Sequence, residues 1–282
     1  PAFTVTHSIV WQDGFYNLNN WPADKVANGT TRGLEIFDWD DHGTYPGDVC
    51  VATLLGSSST QGSYAYRALP ATFAAGSFDC YLADQAVANS RQGIHVRGFN
   101  GATQVFSAFL GCYPDPPANG LAYSAGVYDG SAWTWATNLQ TRGIGWQNLR
   151  VEVGATAIRY YINGVRKATL PRPANVDSFG ISRVNLGHEY NVNTEGFFDD
   201  ARFTAPPPVA PLPGAATALS TSSIRWNFTD RSPIETGYVL HDASNVQKGT
   251  AGKNASSITE SGLAANTQYT RHFYGKNGTV EG

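Results

Sequence analysis

The residue types that could do chemistry in this chain are acidic clusters, isolated histidines, three cysteines and a set of closely spaced aromatics. Glu35-Ile36-Phe37-Asp38-Trp39-Asp40-Asp41 is one acidic run, and Asp199-Asp200 is another. Two carboxylates on one face can act as acid and as nucleophile or base at a glycosidic bond. Glu35 and Asp38, three apart, would leave a strand on opposite faces. His42, His95 and His188 stand alone, so no histidine pair is spaced for a metal. Cys50, Cys80 and Cys112 form no CxxC pair and permit one disulfide in any of three pairings. There is no G-x-S-x-G and no glycine-rich phosphate loop leading into a helix.

The aromatics are spaced differently. Trp133-Thr134-Trp135 puts two indoles on one side of a strand. Tyr123 and Tyr128 lie on the preceding strand, across the Asp129-Gly130 turn, and Trp39 and Tyr45 sit in the acidic loop. A flat exposed ring offers apolar area to a pyranose face. A large sandwich also needs bulky core residues, and from the residues alone Trp133 and Trp135 fit the core better.

The elements that must position these groups are strands. Runs such as Phe78-Asp79-Cys80-Tyr81-Leu82, Gly93-Ile94-His95-Val96-Arg97 and Leu149-Arg150-Val151-Glu152-Val153 alternate apolar and polar residues between Gly, Asn, Asp and Pro. No helical period extends beyond two turns. The chain is therefore expected to be all-β, with a large two-sheet antiparallel sandwich at its N-terminal end.

Composition narrows the partners. Charged residues are 15% of the chain, against roughly 25% in an average soluble domain. A net charge of −3 with no Lys/Arg block gives no footprint for nucleic acid, and no apolar run suits membrane insertion. The chain begins at Pro1 and holds no methionine, as removal of a secretory leader would leave it, so a secreted or cell-surface place is expected. N-x-S/T sequons occur at Asn28, Asn227, Asn254 and Asn277, at a frequency expected by chance in so Asn- and Thr-rich a chain.

One hairpin is legible in detail. Ala157–Ala168 reads as two strands joined at Asn163-Gly164, where both positions accept positive φ. Trp146–Val153 precedes it and Gly196-Phe197-Phe198-Asp199-Asp200-Ala201-Arg202-Phe203 follows. This order resembles the concanavalin-A-like and laminin-G-like jelly-roll family, best over residues 145–204. Asp13-Gly14-Phe15 followed by Trp21 looks like that family's first strand. The resemblance implies a carbohydrate partner, with Trp133, Trp135, Tyr123, Tyr128 and Trp39 as ligand-binding candidates. It also implies a structural calcium ion joining first strand to last, through Asp13 and Asp200. Turn capping, or pairing with Arg202, is the alternative for the aspartates. Catalytic patterns known in the family are missing: the glucanase E-x-D-x-x-E is not met at Glu35, and Gln92-Gly93-Ile94-His95 departs in spacing from the lyase Gln-x-His.

Residues 205–214 carry five prolines in ten positions, so no helix or interior strand should cross them. They are read as a stiff spacer dividing a domain at 1–204 from one at 214–282, with 205–213 as linker. The tail resembles a fibronectin type III domain, with Trp226 as core tryptophan and Leu263-x-x-Asn266-Thr267-x-Tyr269 as its tyrosine corner. Its seventh strand is expected to be missing, completed by further chain or by a donated strand. The function expected is a non-catalytic extracellular module for carbohydrate binding or adhesion. One alternative is a structural subunit contacting copies of itself or other surface proteins; a second is a polysaccharide-active enzyme of the jelly-roll class.

Overall fold

The structure is a computed structural model that describes residues 7–15, 21, 34–37, 50–53, 63–87, 91–113, 120–188 and 196–282. Trp39 and Asn28 lie outside the described residues. Two compact units are present, one built on Ile9–Leu69 and Ala75–Thr204, the other on Pro70–Ala74 and Ala205–Gly282.

The larger unit holds β1 (Ser8–Asp13), β2 (Leu34–Phe37), β3 (Cys50–Thr53), β4 (Ser63–Phe73), β5 (Gly76–Asp84), β6 (Gly93–Asn100) and β7 (Thr103–Cys112). It continues with β8 (Tyr123–Tyr128), β9 (Trp133–Ala136), β10 (Gly145–Val153), β11 (Ala157–Ile162), β12 (Val165–Pro171), β13 (Ile181–His188) and β14 (Gly196–Ala205). One sheet runs β12-β11-β10-β5-β14-β3-β2, with β1 paired to β14; the other runs β4-β13-β6-β7-β8-β9. First and last strands are thus neighbours. A single helical turn, α1 (Asn175–Phe179), enters β13.

Alternation decides what lies between the sheets. Leu149, Val151 and Val153 of β10 face inward with Phe78, Cys80 and Leu82 of β5 and Ile158, Tyr160 and Ile162 of β11, all essentially inaccessible. The other sheet answers with Ile94, Val96, Ala108, Leu110, Ala125, Val127, Val184 and Leu186. Tyr160 crosses the layer and donates its hydroxyl to the Gly126 carbonyl at 3.0 Å. Truncating such a side chain to alanine costs about 2–5 kcal/mol. At the β11–β12 turn Asn163 and Gly164 take φ of 51° and 76°, the left-handed pair that an Asn-Gly hairpin uses.

Cys80 and Cys112 are free and buried in this core. The Cys80 Sγ donates to the Asp199 carbonyl at 3.1 Å. Burial, with Asp199 and Asp79 nearby, pushes its thiol well above the ordinary range.

The smaller unit contains β15 (Leu212–Pro213), β16 (Thr217–Ser220), β17 (Ser223–Thr229), β18 (Gly237–Asp242), β19 (Gln247–Gly252), β20 (Ser257–Ser261), β21 (Arg271–Asn277) and β22 (Val280–Glu281). Its sheets are β15-β17-β16 with β20 paired to β17, and β19-β18-β21-β22. Phe228, Tyr238, Leu240 and Ile258 form the core. Trp226 only flanks it, half-buried, because its indole Nε1 reaches out to donate to Glu260 Oε2 at 2.9 Å. Tyr269 Oη accepts the Ala264 backbone N–H at 2.7 Å.

A two-residue strand, β22, pairs with β21 at Lys276↔Glu281 and Asn277↔Val280. The proline-rich stretch read as a stiff spacer is itself hydrogen-bonded. Leu212-Pro213 pairs along the edge of β17, and the Pro206 carbonyl accepts Asn277 Nδ2 at 3.0 Å. Asn277 Oδ1 accepts the Ala74 N–H at 2.8 Å, so this fully buried sequon amide is already occupied on both sides.

Candidate functional site

The six-stranded sheet has one face in the core and a second face of a different kind. Register places Asn185 opposite His95, His95 opposite Phe109, Phe109 opposite Gly126 and Gly126 opposite Trp135. The next row is Arg183, Arg97, Ser107, Tyr128 and Trp133, again in direct opposition. Residues facing each other across antiparallel strands share a face. Five strands therefore lay down two parallel rows, polar at the β13–β6 end and aromatic at the β8–β9 end. Neither row carries a carboxylate.

At the aromatic end the rings stack. Trp133 and Trp135 have centroids 5.0 Å apart and planes 20° from parallel. Trp135 continues onto Tyr113 at 4.7 Å and 15°, and Trp133 onto Tyr128 at 5.6 Å. The bare backbone of Gly126 beneath them makes this possible, since a Cβ there would lie 2.8 Å from the Trp135 ring and 2.9 Å from Trp133. Trp133 is 38% exposed, so these indoles are not core residues. Phe109 links the ends, edge-on to Trp135 at 6.1 Å and 4.8 Å from the His95 ring.

At the polar end His95 Nδ1 lies 3.2 Å from both Ser107 Oγ and Arg97 Nη2. A guanidinium only donates, so Nδ1 accepts and the neutral ring carries its proton on Nε2. His95, Arg97, Ser107 and Asn185 are all buried. Neither Nδ2 nor Oδ1 of Asn185 has a partner among the described residues. The Arg183 guanidinium lies 4.1 Å from the Tyr66 centroid and 4.3 Å from that of Phe99. The cluster can donate hydrogen bonds.

Sequence reasoning did not single out Phe109, Tyr113, His95, Arg97, Arg183 or Asn185 as a group. The residues it did single out fall in several places. Trp133, Trp135 and Tyr128 come together. Tyr123 does not join them: five positions from Tyr128, it leaves β8 on the opposite face and is fully buried. There its hydroxyl donates to Asp84 Oδ2 at 2.5 Å, and Arg142 grips the same carboxylate at 2.7 and 3.0 Å. Burial, reinforced by Cys112 and Asp84, pushes the Tyr123 phenol well up. It is a structural residue.

Asp13 and Asp200, expected as calcium ligands, stand on β1 and β14, which pair in one sheet. Asp13 Oδ1 accepts the Phe15 N–H at 2.9 Å, while Oδ2 accepts Trp21 Nε1 at 3.1 Å and Arg67 at 3.0 Å. Asp200 takes φ of 50° at an irregularity in the β14–β5 register between Asp199 and Arg202. That bulge cancels strict alternation, so Asp199 and Asp200 are both buried, and the Asp200 N–H donates to Asp199 Oδ1 at 2.7 Å. Arg202 pairs with Asp79 at 2.9 Å. Among the described residues no group of three or more His, Cys, Asp or Glu is arranged to hold a metal ion.

No protein family and no curated protein matches the sequence. Solved structures do align with it. One is a sialidase, at a TM-score of 0.43 and 11% identity over 71% of this chain; the chain spans only 18% of that protein's length. Another is domain 4 of an extracellular arabinanase from Geobacillus stearothermophilus in complex with arabinotriose, at 0.47 and 13% over 71% of this chain and 93% of the other. A third comes from work on endo-acting O-glycanases by which human gut microbiota initiate mucin breakdown, at 0.49 and 10% over 70% and 99%. Several of the similar structures carry the names of enzymes acting on glycans. That finding corrects the expectation of a non-catalytic binding or adhesion module and of a chain that is not an enzyme. At such scores the likeness goes no further and names no reaction.

Proposed function

We propose that the chain is a polysaccharide-active enzyme of the jelly-roll class, with its glycan lying along the aromatic row and reaching the polar cluster. The observation that carries this is the series Tyr113, Trp135, Trp133 and Tyr128 at the β8–β9 end of the sheet face that also carries His95. Such rings offer apolar area to successive sugar faces, while a few convergent polar groups fix orientation. His95, whose Nδ1 accepts from Arg97, carries Nε2–H as a hydrogen-bond donor that orients the glycan at this end. A polymeric glycan substrate sets the work outside the cell. The smaller unit is read as a fibronectin type III-like accessory domain, supported by the bond from the Ala264 N–H to Tyr269 Oη.

The test combines a glycan array with release of new chain ends from the polysaccharides that bind. Trp135→Ala should weaken binding tenfold or more, in line with about 1–3 kcal/mol for one aromatic platform. Its melting temperature should stay close to that of the wild type. Absence of any bound glycan would sink the proposal, as would absence of new chain ends.

A further inference from the structure

We infer that the polymer is anionic, a uronate-bearing polysaccharide whose carboxylate is taken by Arg183 beside Asn185. This rests on the proposed glycan reading and adds the substrate class.

The two residues are neighbours on one face of β13, separated by a single position and so about 7 Å apart along the strand. Asn185 is fully buried, yet its amide nitrogen and its amide oxygen have no partner among the described residues. A buried amide left in that state costs about 1–3 kcal/mol for each missing bond. A ligand that accepts at Nδ2 and donates to Oδ1 removes that cost, and a sugar hydroxyl does both.

Arg183 supplies the charge. The rings of Tyr66 and Phe99 lie 4.1 and 4.3 Å from its guanidinium carbon and limit where the group can go. A cation–π contact leaves guanidinium N–H groups to donate. The planar fork of an arginine matches a carboxylate in two parallel hydrogen bonds. His95, directly across from Asn185, adds a third donor through Nε2–H. Donors thus converge from β13 and β6, and the two rows offer no carboxylate to repel an acid. A hydroxyl-reading amide next to a cation, at the end of a ring row, fits a uronic acid residue within a chain.

The test uses matched polymers that differ only in charge: polygalacturonate and hyaluronan, each against its own methyl ester, measured by affinity electrophoresis with the whole chain. The wild type should hold an acid form at least tenfold more tightly than its ester, with an advantage that shrinks as salt rises. Arg183→Gln should bring the acid-to-ester ratio close to one, while Trp135→Ala should weaken both forms and preserve the ratio. Equal binding of acid and ester by the wild type would overturn the inference and leave the glycan reading standing. Binding of neither these polymers nor any neutral glycan would overturn both. The wild-type ratio needs no variant, so the test survives if a substitution fails to fold.

Discussion

Gly126 and Trp135 sit directly opposite each other on β8 and β9, and the indole lies down over the glycine. A Cβ at position 126 would meet Trp135 Cε3 and Cζ3 at 2.8 Å and Trp133 Cε3 at 2.9 Å, closer than carbon atoms approach. Both indoles therefore depend on one absent methyl group. The ring row and the backbone under it are a single unit.

Gly126→Ala tests that dependence. The added methyl should lift both indoles, cost about 1–3 kcal/mol as overpacking does, and change the tryptophan fluorescence and near-UV dichroism of the folded protein. Glycan affinity should fall by at least tenfold, because the stack with Tyr113 and Tyr128 is lost. Unchanged spectra and unchanged affinity would show that the rings are positioned by something else.

The aromatic end of the face was legible in the sequence, and the polar end was not, for a reason of topology. Trp133 and Trp135 are two apart on one strand, so local alternation alone puts them together. Tyr128 follows across a short turn. Asn185, His95 and Phe109 come one from each of three strands, and their meeting depends on β13 lying beside β6, a long-range pairing that no local pattern encodes. Alternation could have warned against Tyr123, whose odd spacing from Tyr128 already implied the opposite face. It could not have foreseen Asp200, because a bulge resets the period there. In the tail the strand pattern was readable, whereas the role of the prolines was not: their carbonyls, not their rings, make the hydrogen bond that joins Pro206 to Asn277.

Asp84 should matter more to stability than the tyrosine that first drew attention on β8. Its carboxylate accepts from Tyr123 and from two nitrogens of Arg142, whose side chain is only 4% exposed against 1% for Asp84. Tyr123→Phe removes one hydrogen bond and should cost about 1–2 kcal/mol. Asp84→Ala leaves a buried guanidinium uncompensated and should cost about 3–5 kcal/mol. Arg142 keeps the Val87 and Gly120 carbonyls, which holds the second figure toward its lower end. Urea unfolding of both variants measures the order. A Tyr123→Phe loss equal to or greater than that of Asp84→Ala would contradict the network as described.

The smaller unit carries a carboxyl group whose burial should make it more stable in acid than at neutral pH, so far as that group decides. Glu235 is 1% exposed and its Oε2 is buried without a hydrogen-bond partner. Burial is the main cause that raises its pKa above the ordinary value, with Asp230 adding to the rise. The folded chain therefore holds this proton more tightly than the unfolded chain does. Its contribution is fully favourable below the unfolded pKa of about 4.3 and is lost as pH rises through the raised folded value. Glu235→Gln cannot titrate. The variant should melt above the wild type at pH 7, and the gap should close as pH falls below about 4. Calorimetry across that range decides it: a gap that stays constant with pH, or a wild type that melts higher at pH 7, would show that the Glu235 carboxylate is compensated in the folded state.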